Sequence, residues 1–531
     1  MKISQKFSEQ ILQSKFPVVG AKVNNTYRNL NDEMSDNDVV ELIDINCKEG
    51  MKIYRATLTY IMSKAFFETY RRARLTVDYQ LSNAMYCTLD NMEVTDEMLS
   101  NVKARMQEII DQDLPIDKVV MTREEATEFF NNERTSKGRL QLDVVENETI
   151  KMYYCEDYYN YFYETIATHT GVTKIFDLIK YGKGFLLRYP SSDNVTVLPA
   201  FKETKKLQWA LEEYETIYKI LNVGTIHKLN TVIESGNVRQ LILLSEALHE
   251  KKIANIADKI AGRKGVKMVL IAGPSSSGKT TFAQRLGIQL RLNGLKPVTI
   301  SVDNYFVDRG QTPLNEKGEP DFECLEAIDT KLFNKQLLAL LDGQEVEMPT
   351  FDFAQGKKIY DGTKTRLADD EILVIEGIHC LNDKLTSEIP MDRKYKVYIS
   401  ALTVLNIDAF NRISTTDTRF VRRIVRDHQF RAYSAQNTIK TWPNVNKGEE
   451  KNIFPFQEQA DSIFNTSLIY ELAVLKHKAM NLLSEITNDV PEYAEAKRLM
   501  DILKNFREIP EDLVPANSLV KEFLGGGDFK G

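Results

Sequence analysis

Gly273-Pro274-Ser275-Ser276-Ser277-Gly278-Lys279-Thr280 fits the pattern G-x-x-x-x-G-K-S/T of a phosphate-binding loop without a mismatch. Ahead of it, Val266 to Ala272 is short, apolar and bounded by Gly265, which predicts a buried parallel strand. Behind it, Phe282, Leu286 and Leu290 recur on one helical face, and Asn293-Gly294 supplies a left-handed stop. Glycines let such a loop curl so that successive N–H groups point inward, and the helix N-terminus adds a positive dipole end. The predicted phosphate contacts are Gly273, Ser275, Ser276, Ser277, Gly278, Lys279, Thr280 and Thr281. Lys279 is placed to bridge the β- and γ-phosphates, and Thr280 to offer its hydroxyl to Mg²⁺.

A phosphate loop alone does not separate a kinase from a GTPase or a motor, so the next carboxylates decide. Lys296 to Val302 reads as a second strand that delivers Asp303 at its carboxyl end, where open α/β sheets hold ligands. There it could accept a hydroxyl proton. Glu371 to Ile375 reads as another buried strand, delivering Glu376 as a carboxylate for magnesium and its waters. Guanine recognition usually shows N/T-K-x-D, and no Asn-Lys or Thr-Lys pair here has Asp two places on, which disfavours a GTPase. From Thr416 to Asp427, Arg419, Arg422, Arg423 and Arg426 fall at helical intervals, the spacing of a mobile arginine helix that could close over a γ-phosphate. His379, just after Glu376, reads as a packed or hydrogen-bonded histidine.

From Gly265 to Glu485 these motifs resemble the uridine kinase group of P-loop nucleoside kinases, with phosphoribulokinase as a more distant relative. The likeness rests on GPSSSGKT, ISVDNYF around Asp303, DFECLEAID from Asp321, MPTFDF from Met348, VIEGI, and the arginine segment ending RRIVRD. The resemblance implies a doubly wound parallel sheet and ATP-dependent transfer to a nucleoside 5′-hydroxyl. It implies Asp303 as general base, Glu323 on the ribose hydroxyls, Arg423 and Arg426 as lid arginines, and Phe351, Phe353 and Arg431 on the nucleoside side. Where the pyrimidine kinases carry a base-reading histidine, three residues after their Tyr-Asp-Phe, this chain has Gly356. A later family arginine falls at Tyr433, two residues from Arg431. Ribose recognition is thus better supported than base recognition, and uridine or cytidine is a first guess. A kinase of another small hydroxyl compound, like phosphoribulokinase, and a regulator that binds ATP without transfer stay open.

The N-terminal half carries a second resemblance. Pro17 to Asn25, Leu30 and Val40 to Ile43 are similar to the later part of a TGS domain, a β-grasp module of translation enzymes. Its opening hairpin is missing, so either the module is incomplete or Met1 is an internal start of a longer protein. Residues 51 to about 190 resemble the second domain of threonyl-tRNA synthetase, whose editing site uses H-x-x-x-H and C-x-x-x-H pairs. Alignment puts Ala56, Tyr60, Phe162 and Ile166 at those four positions, and none can ligate a metal as histidine or cysteine does. The resemblance therefore implies a non-editing relic kept for interaction, dimerisation or substrate gating. The aromatic run Tyr153, Tyr154, Tyr158, Tyr159, Tyr161, Phe162 and Tyr163 reads as the packed face of a sheet, with base stacking as the alternative.

With 531 residues the chain exceeds one core. We divide it into a TGS-like part (1–50), an editing-like domain (51–195), a helical linker (196–262), a kinase domain (263–485), and a helical extension (486–531) ending in the flexible run Gly525-Gly526-Gly527. The expected fold class is α/β, a P-loop doubly wound sheet with an α+β N-terminal region. A balanced charge of −7 gives no drive toward nucleic acid, and no apolar run approaches a membrane span. Five cysteines without a C-x-x-C pair, and a start without a secretory apolar core, point to reduced thiols in the cytoplasm. The expected partner is a small nucleoside, and homo-oligomerisation is left open.

Overall fold

The computed structural model describes residues 1–132, 149–315, 318–352 and 355–529. Its centre is a five-stranded parallel sheet of β1 (Met268–Ala272), β2 (Lys296–Ser301), β3 (Glu371–Glu376), β4 (Lys394–Ser400) and β5 (Ser462–Asn465), in the spatial order β2-β3-β1-β4-β5. All five residues of β1 are buried, as the unbroken apolar run demands of a strand covered on both faces. Helices α1 (Val238–Gly262) and α2 (Lys279–Leu292) cover one face with Ile253, Ile256, Ile260, Phe282, Leu286 and Leu290. Each such side chain withdrawn from water contributes roughly 1.5–3 kcal/mol. The other face packs on α3 (Thr415–Arg431), α4 (Ala435–Asn452) and α5 (Glu471–Ser484) through residues such as Phe420, Ile424, Ile439, Leu472 and Leu475. The α/β doubly wound expectation holds.

From β1 the chain crosses to one side of the sheet for β2 and β3, and afterwards to the other side for β4 and β5. The strand order therefore reverses at β1, and its carboxyl end opens a crevice of the kind that receives ligands in such sheets. The phosphate loop and the ends of β2 and β3 all lie there.

The N-terminal half forms three antiparallel sheets. One joins Val18–Val23 to Thr26–Arg28 and Val40–Asp44. A second contains Leu75–Leu81, Ala84–Leu89, Gly184–Arg188 and Asp177–Tyr181. The third contains Asp117–Thr122, Thr149–Cys155 and Tyr158–Tyr161. The helix Lys48–Thr69 runs between them, with fifteen of its residues buried. A bulge between Val77 and Tyr79 leaves the Val77 N–H pointing outward, where it donates to Ala409 O at 2.8 Å and ties the two halves together.

The four positions aligned with editing ligands are filled from this core. Tyr60 lies edge-on to Phe162 at 5.9 Å and to Tyr158 at 5.3 Å, and Ala56 and Ile166 are buried. The aromatic run is packed as a sheet face, with Tyr153, Tyr158, Tyr161 and Phe162 buried and Tyr154 stacked on Tyr159.

Two segments are helical as read, and both pack on the central core. The stretch read as a linker contains Lys205–Ile220 and α1, which sit on the central core: Tyr214 Oη donates to Asn465 O at 3.1 Å, and Leu207, Leu211 and Tyr218 are buried. The C-terminal extension is not a loose tail. Its helix α6 (Tyr493–Leu503) lies between the halves, and a short helix α7 (Lys521–Leu524) lies on the phosphate loop with Phe523 and Leu524 buried. The glycine run is held as well, since Asp528 N–H donates to Ala516 O at 2.9 Å.

Candidate active site

The loop between β1 and α2 takes two left-handed residues, Ser276 at φ 58° and Gly278 at φ 87°, which turn the backbone around its centre. A Cβ on Gly273 would stand 2.2 Å from Ile399 O, so only glycine lets the loop leave β1 this close to β4. Inside the curl, Ser277 N–H donates to Pro274 O at 3.2 Å, and Lys279 Nζ donates to Gly273 O at 3.1 Å and Pro274 O at 3.4 Å. The Ser276 and Ser277 hydroxyls are buried and have no partner among the described residues. Orphaned hydroxyls free to donate, a lysine folded over the loop and a helix N-terminus together supply an excess of donors, so the loop fits phosphate oxygens.

Three acids surround that lysine. Asp303 follows β2 in a tight turn, Val302–Tyr305, with its side chain exposed at the floor of the crevice. The surrounding protein raises its pKa, against the lowering charges of Lys279 and Arg431. Glu376 ends β3 in register with Ser301, whose Oγ donates to it at 3.2 Å. Burial raises its pKa, Lys279 opposes this, and Asp303 adds to it. Glu323 is also raised by burial and by Glu449 and Asp303, while Arg423 and Lys279 lower it. Lys279 thus acts on all three carboxylates at once. The Thr280 hydroxyl and the Glu376 carboxylate are both hard oxygen donors, which suits Mg²⁺, an ion that keeps waters and phosphate oxygens and needs no all-protein cage.

The arginine segment is helical, and its inner face is packed. Arg419 and Arg422 are almost fully buried. Arg419 clasps Glu449 of α4 with two bonds of 2.6 and 2.9 Å and donates to Ser275 O at 3.1 Å. Arg422 pairs with Glu471 of α5 at 2.6 Å and donates to Ser276 O at 3.3 Å. Of the two expected lid arginines, Arg423 does reach the loop, donating to Ser275 Oγ at 2.7 Å. Arg426 pairs with Asp427 at 2.8 Å.

On the acceptor side, Glu323 is braced by α4: Asn452 Nδ2 donates to its carbonyl at 2.7 Å, and a Cβ on Gly448 would stand 2.9 Å from the Glu323 Cβ. Phe351 is buried against Phe306 at 5.6 Å, and Phe306 meets Phe322 edge-on at 6.3 Å. Arg431 is half exposed and acts on Asp303. Phe353 lies outside the described residues. At Gly356, φ is 67° and a Cβ would stand 2.8 Å from the Arg309 side chain, so glycine is required there. His379 is buried, which lowers its pKa to about 4, and it plays no part at the crevice floor.

Sequence reasoning missed Glu449, Glu471 and Glu522. Glu449 also accepts from Ser275 N–H at 2.8 Å, and Glu522 of α7 accepts from Thr281 N–H at 3.0 Å. The available signal was indirect, since arginines on the inner side of a helix require carboxylates somewhere in the chain.

The model of the phosphoribulokinase/uridine kinase family matches residues 268–469. A uridine kinase of Deinococcus deserti is 30% identical over 172 residues, which span 32% of this chain and 73% of that protein. A uridine kinase of Ligilactobacillus salivarius is 28% identical over 189 residues, spanning 35% of this chain and 79% of that one. Elsewhere in the chain, a threonine–tRNA ligase of Fusobacterium nucleatum is 29% identical over 165 residues, 30% of this chain and 26% of the ligase.

Proposed function

The chain belongs to the phosphoribulokinase/uridine kinase family, and from that premise we propose that it is an ATP- and Mg²⁺-dependent kinase acting on the 5′-hydroxyl of a ribonucleoside. The observation that carries this reading is the position of Lys279, within electrostatic reach of Asp303, Glu323 and Glu376 at the mouth of the phosphate loop. A triphosphate held by the loop, with Mg²⁺ between Thr280 and Glu376 to neutralise phosphate charge, would present its γ-phosphorus toward Asp303. Asp303 takes the proton of the attacking hydroxyl. That oxygen bonds to phosphorus as the bond to the β-phosphate oxygen breaks, and Lys279 and Arg423 carry the charge that moves onto the leaving oxygen. Glu323 holds the ribose hydroxyls.

Base recognition is the open side of the reading. Phe306, Phe322 and Phe351 offer an aromatic wall, which favours a nucleoside and, as first guess, uridine or cytidine. A second reading, a kinase of another small hydroxyl compound, is favoured by Gly356, which offers no side chain to read a base. The N-terminal half, TGS-like and editing-like, is assigned to interaction or substrate gating. No described helix is long and apolar enough to cross a membrane, and we assign the protein to the cytoplasm.

A radiolabelled ATP screen over the common nucleosides tests the reading. Label should move to a nucleoside, with ATP consumed only when one is present. Transfer to ribulose 5-phosphate and to no nucleoside would favour the second reading. Binding of ATP without any transfer would leave a regulator.

A further inference from the structure

Two N–H groups of the phosphate loop and its helix already meet carboxylates of the chain itself. One is Ser275, bonded to Glu449. The other is Thr281, whose N–H is among the first four of α2 and so has no partner inside the helix. Such groups are what a phosphate-binding loop offers to the α- and β-phosphates. Here Glu522 Oε2 accepts from Thr281 at 3.0 Å. Glu522 also lies within electrostatic reach of Glu376, whose pKa it helps raise.

Apolar contacts hold the carboxylate in place. Leu519 packs on the loop so closely that a Cβ on Gly278 would stand 2.6 Å from its Cδ2. The Arg422 guanidinium lies 4.9 Å over the Phe523 ring, and Leu519, Val520, Phe523 and Leu524 are all buried. Polar clips fasten the segment at both ends. Ser518 Oγ meets Tyr470 Oη at 3.2 Å, Lys521 Nζ donates to Glu511 O at 3.1 Å, and Lys478 Nζ donates to Leu524 O at 3.1 Å. Under this cover Ser276, Ser277 and Gly278 are buried, although they belong to a loop that must touch a ligand.

We propose that residues 518–528 are an intramolecular strap that competes with nucleotide, the Glu522 carboxylate standing where a phosphate oxygen would bind. The proposal rests on the reading of the loop as a nucleotide site. Two carboxylates, Glu522 and Glu376, lie within electrostatic reach of each other at the loop while the strap is down. Triphosphate with Mg²⁺ would replace the first of them and bind the second. The strap begins three residues after Pro515 and includes Gly525 and Gly526 at φ 83° and 69°, so its far end turns through residues whose backbone is free to change conformation on lifting.

A strap closed for nine-tenths of the time lowers apparent nucleotide affinity about tenfold. Calorimetry of ATP binding to the full chain should therefore find Glu522→Ala about tenfold tighter than wild type, with Glu522→Gln in between because its amide oxygen still accepts a hydrogen bond. Hydrogen exchange within residues 518–528 should rise when ATP and Mg²⁺ are added. Equal or weaker ATP binding by both variants, each shown to be folded by its melting transition, would overturn the strap. So would a fall in exchange, because the segment would then be a clamp that closes on nucleotide. If wild type and both variants all fail to bind ATP while folded, the nucleotide reading of the loop falls and the strap with it. Binding by wild type that is unchanged in the variants removes the strap alone.

Discussion

Arg419 and Glu449 form a two-bond ion pair, at 2.6 and 2.9 Å, whose carboxylate also receives the Ser275 N–H, so one pair ties α3, α4 and the first turn of the phosphate loop together. Both side chains are about 1% exposed. The Trp442 ring stacks on Phe420 at 4.6 Å and lies 5.6 Å from the Arg419 guanidinium. The Arg419→Ala change would leave a buried carboxylate without its counter-charge, a loss that typically costs about 3–5 kcal/mol. Thermal unfolding should show a lowered midpoint by several degrees or more. An unchanged midpoint would mean that the pair is not held in solution.

Lys279→Ala should behave in the opposite way, abolishing phosphoryl transfer with little change in stability. Lys279 is partly exposed and its bonds go to two loop carbonyls, so the fold loses little packing. Its role is in charge developed during transfer, where removing one such group costs about 10²- to 10³-fold. Transfer within about tenfold of wild type would remove the assignment of the loop as catalytic.

A second ion network sets the acid limit of the fold. Arg498 of α6 donates to Asp417 of α3 at 2.5 Å and to Glu495 at 2.6 Å, and Lys52 approaches Glu495 at 4.0 Å from the N-terminal half. Opposed by burial but dominated by Arg498, the pKa of Asp417 falls from 3.8 to about 2, and that of Glu495 from 4.5 to about 2. Depressed carboxyl pKa values contribute stability that is present above the unfolded values and lost as pH falls through the folded ones. Denaturant midpoints should therefore drop between about pH 4 and 2, and the Arg498→Met variant should lose much of that dependence. A variant with the wild-type acid profile would show that the network contributes no stability.

The parts of this fold that were legible in the sequence are those with a local period or a local motif. β1, β3 and α2 announce themselves through unbroken apolar runs or a repeated helical face next to glycines with a required conformation. Asp303 and Glu376 follow from standing at strand ends. The partners of buried arginines were not legible, because Glu449 is 30 residues from Arg419 and Glu471 is 49 residues from Arg422, with nothing local to mark them. Glu522 was missed for the same reason, since it caps a helix 241 residues away and its own segment reads as a tail. The arginine spacing gave the helix correctly but could not say which side of it faces the core.

The loss of all four synthetase-type ligand positions predicts that the N-terminal half neither holds zinc nor clears mischarged tRNA. Tyr60, Phe162, Ala56 and Ile166 bring no nitrogen or thiolate, and aromatic packing fills the space between them. Elemental analysis should find no stoichiometric zinc, and threonine tRNA charged with serine should persist. One zinc per chain, lost when residues 51–190 are deleted, would refute this.

Asp303→Asn should reduce turnover far more than ATP affinity. The substitution keeps the shape of the side chain and removes basicity, and general-base help of this kind is worth about 10²- to 10⁴-fold. Because the protein walls of the crevice keep water from Asp303 and raise its pKa, the acid limb of the wild-type kcat/KM profile should lie above the ordinary aspartate range, with activity falling as pH drops through it. The asparagine variant should lose that limb. Glu323→Gln acts earlier, on binding, since a carboxylate on two ribose hydroxyls contributes both before and during transfer. It should chiefly raise the nucleoside KM and weaken discrimination against deoxyribose, because a site built around those hydroxyls penalises their absence. Its contacts with α4 through Asn452 and Gly448 involve the backbone and stem, so the fold should tolerate the change. If Asp303→Asn instead left turnover intact and abolished ATP binding, Asp303 would be a nucleotide or metal ligand, and the base would have to be sought among the neighbours of Lys279, with Glu323 first.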